Sequence, residues 1–230
     1  MCGRYSLVVD LKYFAEHYGY TVERFDFSPN YNISPGSQVP IIYADRSGEP
    51  AVTAMRWGLV PRWAKDKSPG YRLINARSET VDVKPAFRHA FAGGRCLVPA
   101  DGFYEWEKDG ERKIPYRVVF PDSRPFVFAG LWDLWDPGAA GEILYSFAIL
   151  TAAANEDIKP VHPRMPVILD PDDWGRWLNP DSGGKELKDL LLPYPGKLLV
   201  YEVSSLVNSP RNNSPEVIRP VHSHLQQPRP

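Results

Sequence analysis

Residues 126–132 read Phe-Val-Phe-Ala-Gly-Leu-Trp, an apolar and aromatic stretch that follows a proline. Such a stretch between turn residues is typical of a β-strand. Six other stretches share this composition and fill most of the middle of the chain: 39–43, 51–57, 96–99, 103–106, 116–120 and 145–151. The pattern therefore predicts a protein dominated by β-sheet.

Short helices are predicted at the two ends of the chain and once between the strands. Asp10 is placed to cap a helix that ends near Gly19, after a short N-terminal strand. Three further helices are predicted at 84–91, 172–178 and 185–191. The sequence thus indicates an α+β fold with a largely antiparallel sheet, in a single domain. We assign the domain to residues 1–220 and a C-terminal tail to 221–230, and we expect the proline-interrupted residues 211–230 to run extended or to fray.

Composition places the protein among ordinary globular chains. The 230 residues carry a net charge of −1 and two cysteines. The sequence contains no apolar run of membrane-spanning length and no signal-peptide pattern, so we expect a cytoplasmic protein with no membrane partner. Two cysteines fit a reducing compartment, and the apolar neighbours of Cys96 predict a buried strand thiol.

The even overall charge hides a basic segment at 56–95. It holds nine Lys or Arg against three Asp or Glu, a balance of +6 that leaves −7 for the remainder. Aromatic residues alternate with these cations, which is the composition of a groove that binds single-stranded nucleic acid. Trp63 is the candidate for base stacking, whereas Trp57 lies on an apolar strand and is assigned to the core. A solvated positive surface without a partner is the simpler alternative.

The N-terminus reads Met1-Cys2-Gly3-Arg4-Tyr5. Removal of Met1, which is usual before a small residue, gives Cys2 a free α-amine beside its thiol. The amine can condense with an aldehyde to an imine, and the thiol can then close a five-membered thiazolidine ring. Both groups are mostly protonated near neutral pH, so the reaction needs a base or a positive environment. A frayed terminus without function is the alternative.

Three polar residues interrupt apolar stretches and are further candidates. Asn75 can hold a reacting oxygen or amine, or simply form a turn. Glu105 lies among aromatic residues that would raise its pKa towards the range of a general acid or base, unless it lies on an exposed strand face. His162 can transfer protons or be structural. Apart from His222 and His224 in the C-terminal tail, the histidines lack the paired spacing of metal ligands, and we expect neither metal nor cofactor.

These residues together resemble the SRAP family, named for SOS-response-associated peptidase, whose members crosslink to abasic sites in single-stranded DNA. The blocks that carry the resemblance occur in family order over nearly the whole chain. They are 2–5 (CGRY), 31–36 (YNISPG), 56–61 (RWGLVP), 74–79 (INARSE), 101–106 (DGFYEW) and 162–166 (HPRMP).

The resemblance implies a barrel-like core with a few short peripheral helices, and a compact form of bacterial type. It implies that Cys2 is exposed by the loss of Met1, which in this family is often attributed to self-cleavage. Cys2 would then capture the ring-opened aldehyde of an abasic deoxyribose. Asn75 would orient the amine, and Glu105 with His162 would move protons. The implied DNA-binding residues are the phosphate-binding Arg4, Arg77 and Arg164 and the base-wedging Pro35 and Trp63.

Two other functions remain open on the sequence. The first is an N-terminal-nucleophile amidohydrolase or peptidase, in which the amine of Cys2 activates its own thiol. The second is a single-strand binder without catalysis. For the crosslinking function we expect a monomer acting on single-stranded DNA that contains abasic sites, located at the nucleoid when DNA is damaged.

Overall fold

The strands of the protein form two β-sheets. The structure is a computed structural model that describes residues 2–18, 27–45 and 47–222. The strands are β1 (Tyr5–Leu7), β2 (Asn30–Ile33), β3 (Gln38–Ala44), β4 (Pro50–Trp57), β5 (Asn75–Arg77), β6 (Arg95–Ala100), β7 (Gly102–Asp109), β8 (Arg112–Val119), β9 (Phe126–Trp135), β10 (Leu144–Ala153), β11 (Arg164–Pro166), β12 (Ile168–Leu169) and β13 (Leu199–Glu202). The α-helices are α1 (Lys12–Tyr18), α2 (Arg88–Gly93), α3 (Trp174–Leu178) and α4 (Gly184–Asp189).

Five of the strands close into a barrel. Neighbours follow the order β10, β4, β3, β6 and β9, and β9 pairs again with β10. Pairing is mostly antiparallel, but β10 runs parallel to β4 and to β5. Closure removes the free edges that an open sheet would expose. The predicted α+β fold with a largely antiparallel, barrel-like core and few short helices is confirmed.

The second sheet holds the first strand of the chain in its interior. Its five strands are antiparallel and follow the order β13, β8, β7, β1 and β2. The ring of Tyr5 packs edge-on against two barrel residues, Trp57 at 5.2 Å and Phe128 at 5.8 Å between ring centroids. Burying each such ring contributes roughly 2–3 kcal/mol, which anchors β1 and the residues just before it on the barrel.

A buried ion pair between Arg117 on β8 and Asp101 is linked to β1 through Ser6. Arg117 Nη2 lies 2.8 Å from Asp101 Oδ1, and the two side chains are only 9% and 5% exposed. The Ser6 hydroxyl donates to the same carboxylate oxygen at 2.6 Å. Because the carboxylate is fully hydrogen-bonded, its desolvation is offset and β1 is held in register.

The helices follow the predicted signals with one displacement. Asp10 Oδ1 accepts from the amide of Lys12 at 2.9 Å and caps α1, whose predicted end at Gly19 lies outside the described residues. The helices α3 and α4 lie within two residues of the predicted positions. The helix predicted at 84–91 begins at Arg88 instead. A proline at 85 disfavours the helical conformation of the residue before it, so turns precede the helix.

The C-terminal segment packs on the second sheet. Asn32 Nδ2 donates to the carbonyls of Ser209 at 2.9 Å and Asn212 at 2.8 Å, and an isolated bridge joins Val203 to Pro220. The expectation of an extended segment is therefore wrong for Pro215–Ile218, which form a 3-10 turn that Pro215 opens. Residues 223–230 lie outside the described part of the chain.

Candidate active site and nucleic-acid interface

Cys2 lies three residues before β1 and is fully buried. Its carbonyl oxygen accepts a hydrogen bond of 2.7 Å from Asn75 Nδ2, and its thiol lies 3.8 Å from the carbonyl oxygen of Arg4. Burial raises the pKa of the thiol, and the charge of Glu105 raises it further. The thiol is therefore protonated at neutral pH and requires a base before it can act as a nucleophile.

Asn75 is positioned by the barrel. It begins β5, which pairs with β10 through the partner residue Ile149. While its amide nitrogen holds Cys2, its Oδ1 is buried and accepts no hydrogen bond from any described residue. A buried carbonyl oxygen without a donor is costly, so it is suited to accept from a group that binds beside Cys2.

Glu105 lies on β7, and its side chain is 3% exposed. Burial raises the pKa of its carboxyl from 4.5 to about 7. The neighbouring Tyr104 and Trp106 lie on the opposite face of the strand and pack with the C-terminal residues Val203 and Val207. The pKa of Glu105 is raised in the predicted direction, but the cause is burial in the fold and not contact with Tyr104 and Trp106. A carboxyl with this pKa can both donate and accept a proton near neutral pH.

His162 completes the cluster from the segment before β11. Its Nδ1 lies 3.9 Å from Glu105 Oε1 and accepts the amide hydrogen of Arg164 at 3.0 Å. Nδ1 also lies 3.0 Å from the carbonyl oxygen of Arg164, so it can accept from the amide or, when protonated, donate to the carbonyl. Burial lowers the pKa of the imidazole, which is 24% exposed. The structure therefore groups Cys2, Asn75, Glu105 and His162, the four residues that the sequence proposed for chemistry.

Two of the five predicted DNA-binding residues have protein partners. Arg4 is half-buried, and its Nη1 donates to Asn32 Oδ1 and to the Val207 carbonyl, both at 2.7 Å. Arg164 is 18% exposed, and both of its terminal nitrogens contact the Glu79 carboxylate. Arg4 thus binds the C-terminal segment, and Arg164 binds a carboxylate. Their predicted contact with phosphate stays a prediction.

The remaining three residues lie on the surface. Pro35 is exposed in the turn between β2 and β3, and Arg77 is exposed at the end of β5. Trp63 is 61% exposed. Its loop folds back because Gly58, with a φ of +125°, lies against the backbone of Gly70, whose carbonyl oxygen would be 2.2 Å from a Cβ at Gly58.

The basic segment contributes fewer charges to the surface than its composition suggested. Arg95 is 4% exposed and donates to carbonyls at the ends of α2 and α3. Arg62 is paired with Asp133 at 2.9 Å. The guanidinium of Arg56 lies 5.2 Å from the centroid of the Tyr71 ring, which is 75% exposed. The exposed cations of the segment are Lys65, Lys67, Arg72, Arg77, Lys84 and Arg88, together with Arg62.

Sequence reasoning missed the partners of these arginines. Glu79 follows Arg77 by two residues within a quoted motif, yet its pairing with Arg164 joins positions 85 residues apart. Asn32 likewise lies in a quoted motif, and its contacts to the C-terminal segment are visible only in the folded structure.

Within the described ranges, no three His, Cys, Asp or Glu side chains lie close enough to bind a metal ion. None of the described helices is long and apolar enough to cross a membrane.

The chain belongs to the SOS response associated peptidase family, whose model matches residues 1–210. Abasic site processing protein YoqW of Bacillus subtilis is 42% identical to it over 225 residues, which cover 95% of this chain and 99% of YoqW. Abasic site processing protein HMCES of Xenopus tropicalis is 37% identical over 221 residues, which cover 83% of this chain and 65% of HMCES. A solved structure from Bacteroides thetaiotaomicron matches with a TM-score of 0.86 and 28% identity, covering 96% of this chain and 100% of that one.

Proposed function

We propose that this protein recognises abasic sites in single-stranded DNA and shields them by a covalent thiazolidine crosslink through Cys2 after Met1 is removed. The observation that carries the proposal is the buried cluster of Cys2, Asn75, Glu105 and His162. The names of the relatives YoqW and HMCES support abasic-site processing. Because the proposed substrate is damaged DNA, we propose that the protein is cytoplasmic and is located at the nucleoid when DNA is damaged.

The chemistry balances without a cofactor. The α-amine of Cys2 adds to C1′ of the ring-opened deoxyribose, and the carbinolamine loses water to give an imine. The thiol sulfur then attacks the imine carbon, and the proton from the thiol ends on the ring nitrogen. The products are a thiazolidine and one water molecule.

Glu105 is the group best suited to carry the protons of these steps. With a pKa of about 7, it can protonate the leaving hydroxyl and then accept the thiol proton as a carboxylate. His162, 3.9 Å away and partly exposed, can exchange that proton with solvent. The Asn75 Oδ1 can accept from the amine of Cys2 and hold it towards the aldehyde. A Cys2 thiol that burial keeps protonated is protected from oxidation until substrate binds.

Exposed cations and an exposed indole support a single-strand partner. Arg77 and the neighbouring exposed lysines can neutralise phosphates, and Trp63 can stack on a base. We propose that Pro35 and Trp63 separate the bases that flank the lesion, with Arg4, Arg77 and Arg164 on the phosphates. The reaction needs only one protein molecule for each lesion, so we propose a monomer.

The deciding experiment mixes the purified protein with a single-stranded oligonucleotide that carries one abasic site. Denaturing gel electrophoresis is expected to give a shifted band for the wild type. The band should be absent with Cys2→Ala and with an intact oligonucleotide. Intact mass spectrometry establishes beforehand that Met1 has been removed.

The same material distinguishes the alternatives. If the mature protein gives no shifted band but releases a peptide product in trans, the amidohydrolase function replaces this proposal. Binding to the oligonucleotide without a covalent product would leave a single-strand binder. We also propose that Met1 is removed by the protein itself, with Glu105 taking part. The test follows the loss of Met1 from wild type and Glu105→Gln in a purified translation system without aminopeptidase. Loss of Met1 at the wild-type rate in the variant would contradict a role for Glu105 in that step.

A further inference from the structure

Arg164 has an anionic partner at the place where a phosphate is proposed to bind. Its Nη1 contacts Glu79 Oε1, and its Nη2 donates to Glu79 Oε2 at 3.0 Å. The Nη2 also donates to the Thr151 carbonyl at 2.6 Å. Both terminal nitrogens of the guanidinium are therefore engaged, in the two-point geometry that a phosphate would use.

The two partners differ in their exposure to solvent. The side chain of Arg164 is 18% exposed and that of Glu79 is 52% exposed. The guanidinium of Arg164 is also hydrogen-bonded to the carbonyl oxygen of Thr151 on β10, whereas Glu79 belongs to a short 3-10 turn, Ser78–Thr80. The carboxylate can thus leave into solvent while the guanidinium stays in place. Hydrogen bonding to Arg164 lowers the pKa of Glu79, so the carboxylate is charged at neutral pH.

The charge of Glu79 acts on a second predicted phosphate contact. Arg77 lies two residues before it, at the exposed end of β5, and contributes to the lowered pKa of Glu79. A strand of DNA that contacts Arg77 and Arg164 must therefore bring its phosphates beside a carboxylate. Like charges at such distances oppose binding, and the ion pair must open before Arg164 can use both nitrogens.

We propose that Glu79 competes with DNA phosphate for Arg164 and so keeps the non-covalent affinity for intact single strands low. The proposal rests on the DNA-binding function proposed above and names a residue that tunes it. A protein that captures its lesion covalently does not need tight non-covalent binding to DNA. Weak binding to intact DNA lets it dissociate quickly and reach a lesion sooner.

The test compares wild type with Glu79→Gln, which keeps the size of the side chain and removes the charge. Fluorescence anisotropy measures binding to a fluorescein-labelled single-stranded oligonucleotide without a lesion, over a series of salt concentrations. The variant is expected to bind about fivefold more tightly at low salt, the effect of one unit charge removed about 4 Å from a phosphate in water. One additional phosphate contact on a single strand would steepen the slope of log K against log salt by about 0.7.

Glu49→Gln is the matched control, because Glu49 is exposed in the hairpin between β3 and β4. This hairpin lies at the start of β4, whereas β4 pairs with β10 at its other end, where Arg56 is the partner of Ser146. The control makes the same change in net charge and is expected to bind DNA as the wild type does. Glu79→Ser serves as a second neutral variant, and circular dichroism confirms that each variant is folded. The double variant Glu79→Gln with Arg164→Gln should lose the gain in affinity.

The outcomes separate the two proposals. Equal or weaker binding by both folded neutral variants, with wild-type binding and crosslinking intact, would overturn the competition and make Glu79 a residue that positions Arg164. Gains of equal size in Glu49→Gln would also overturn it, since net charge alone would then explain the effect. If the wild type neither binds nor crosslinks DNA, the proposed function fails and the competition fails with it.

Discussion

Replacing Glu105 with glutamine is expected to stabilise the protein at alkaline pH and to have much less effect on stability at acid pH. Glu105 is buried on β7, and its surroundings favour the neutral carboxyl over the carboxylate. Glutamine has nearly the same shape and stays neutral at every pH. The substitution therefore removes the cost of burying a charge while changing the packing little.

The magnitude follows from the pKa of the carboxyl. Each tenfold change in an ionisation constant corresponds to about 1.4 kcal/mol, so a rise from 4.5 to about 7 corresponds to about 3 kcal/mol. Below pH 4.5, both the folded and the unfolded chain hold the proton and no cost arises. Between 4.5 and about 7, the unfolded chain releases the proton first, so the stability of the wild type falls as pH rises. Above that range the full cost is present.

Urea denaturation at about pH 5 and about pH 8 measures this difference. The stability gained by Glu105→Gln over the wild type should increase by about 2–3 kcal/mol between these two values. Glu111→Gln is the control, because Glu111 is exposed in the hairpin between β7 and β8 and its charge is solvated in both states. A gain for Glu105→Gln that is independent of pH, or that shrinks as pH rises, would refute burial as the cause of the raised pKa.

Three further substitutions test other parts of the structure. Asp101→Ala should lower the free energy of unfolding by about 3–5 kcal/mol in urea denaturation, because it leaves the buried charge of Arg117 unpaired; a loss below about 1 kcal/mol would contradict this role. Gly58→Ala should lower the thermal midpoint, since its Cβ would meet Gly70 O at 2.2 Å, and an unchanged midpoint would show that the loop shifts freely. Trp63→Ala should leave the midpoint unchanged because the ring is 61% exposed, while weakening single-strand binding by about 1–3 kcal/mol in anisotropy measurements; equal affinity would exclude stacking.

The strands with continuous apolar and aromatic residues could be predicted because their signal is local. The stretches at 126–132 and 145–151 lie within β9 and β10. β5 could not be recognised in this way, since it has three residues, Asn75–Arg77, of which only Ala76 is fully buried. Its strand conformation comes from pairing with β10, and closure of the barrel depends equally on pairs that are distant in sequence.

The chemical residues of the site could be proposed from their chemistry, but their partners could not. Glu105 was recognisable as a carboxylate within an aromatic stretch of sequence, and its raised pKa follows from its burial in the fold. The direction in which an arginine points depends on tertiary structure. Arg95 counts towards a basic segment in the sequence and turns inward to carbonyls in the fold, and Arg4 binds Val207, 203 residues away.

The contact between Arg4 and Val207 has a consequence for how the protein matures on the ribosome. The N-terminal segment that holds Cys2 and Arg4 receives one of its contacts from Val207, which is synthesised 203 residues after Arg4. At about 5–20 residues per second, that interval lasts on the order of 10–40 s. During this time the N-terminus cannot yet make its full set of native contacts, and a processing enzyme can reach it. In the complete fold, Cys2 is fully buried. Removal of Met1 by another enzyme would thus have to occur before the chain is complete and folded. Removal by the protein itself could begin only when translation is complete.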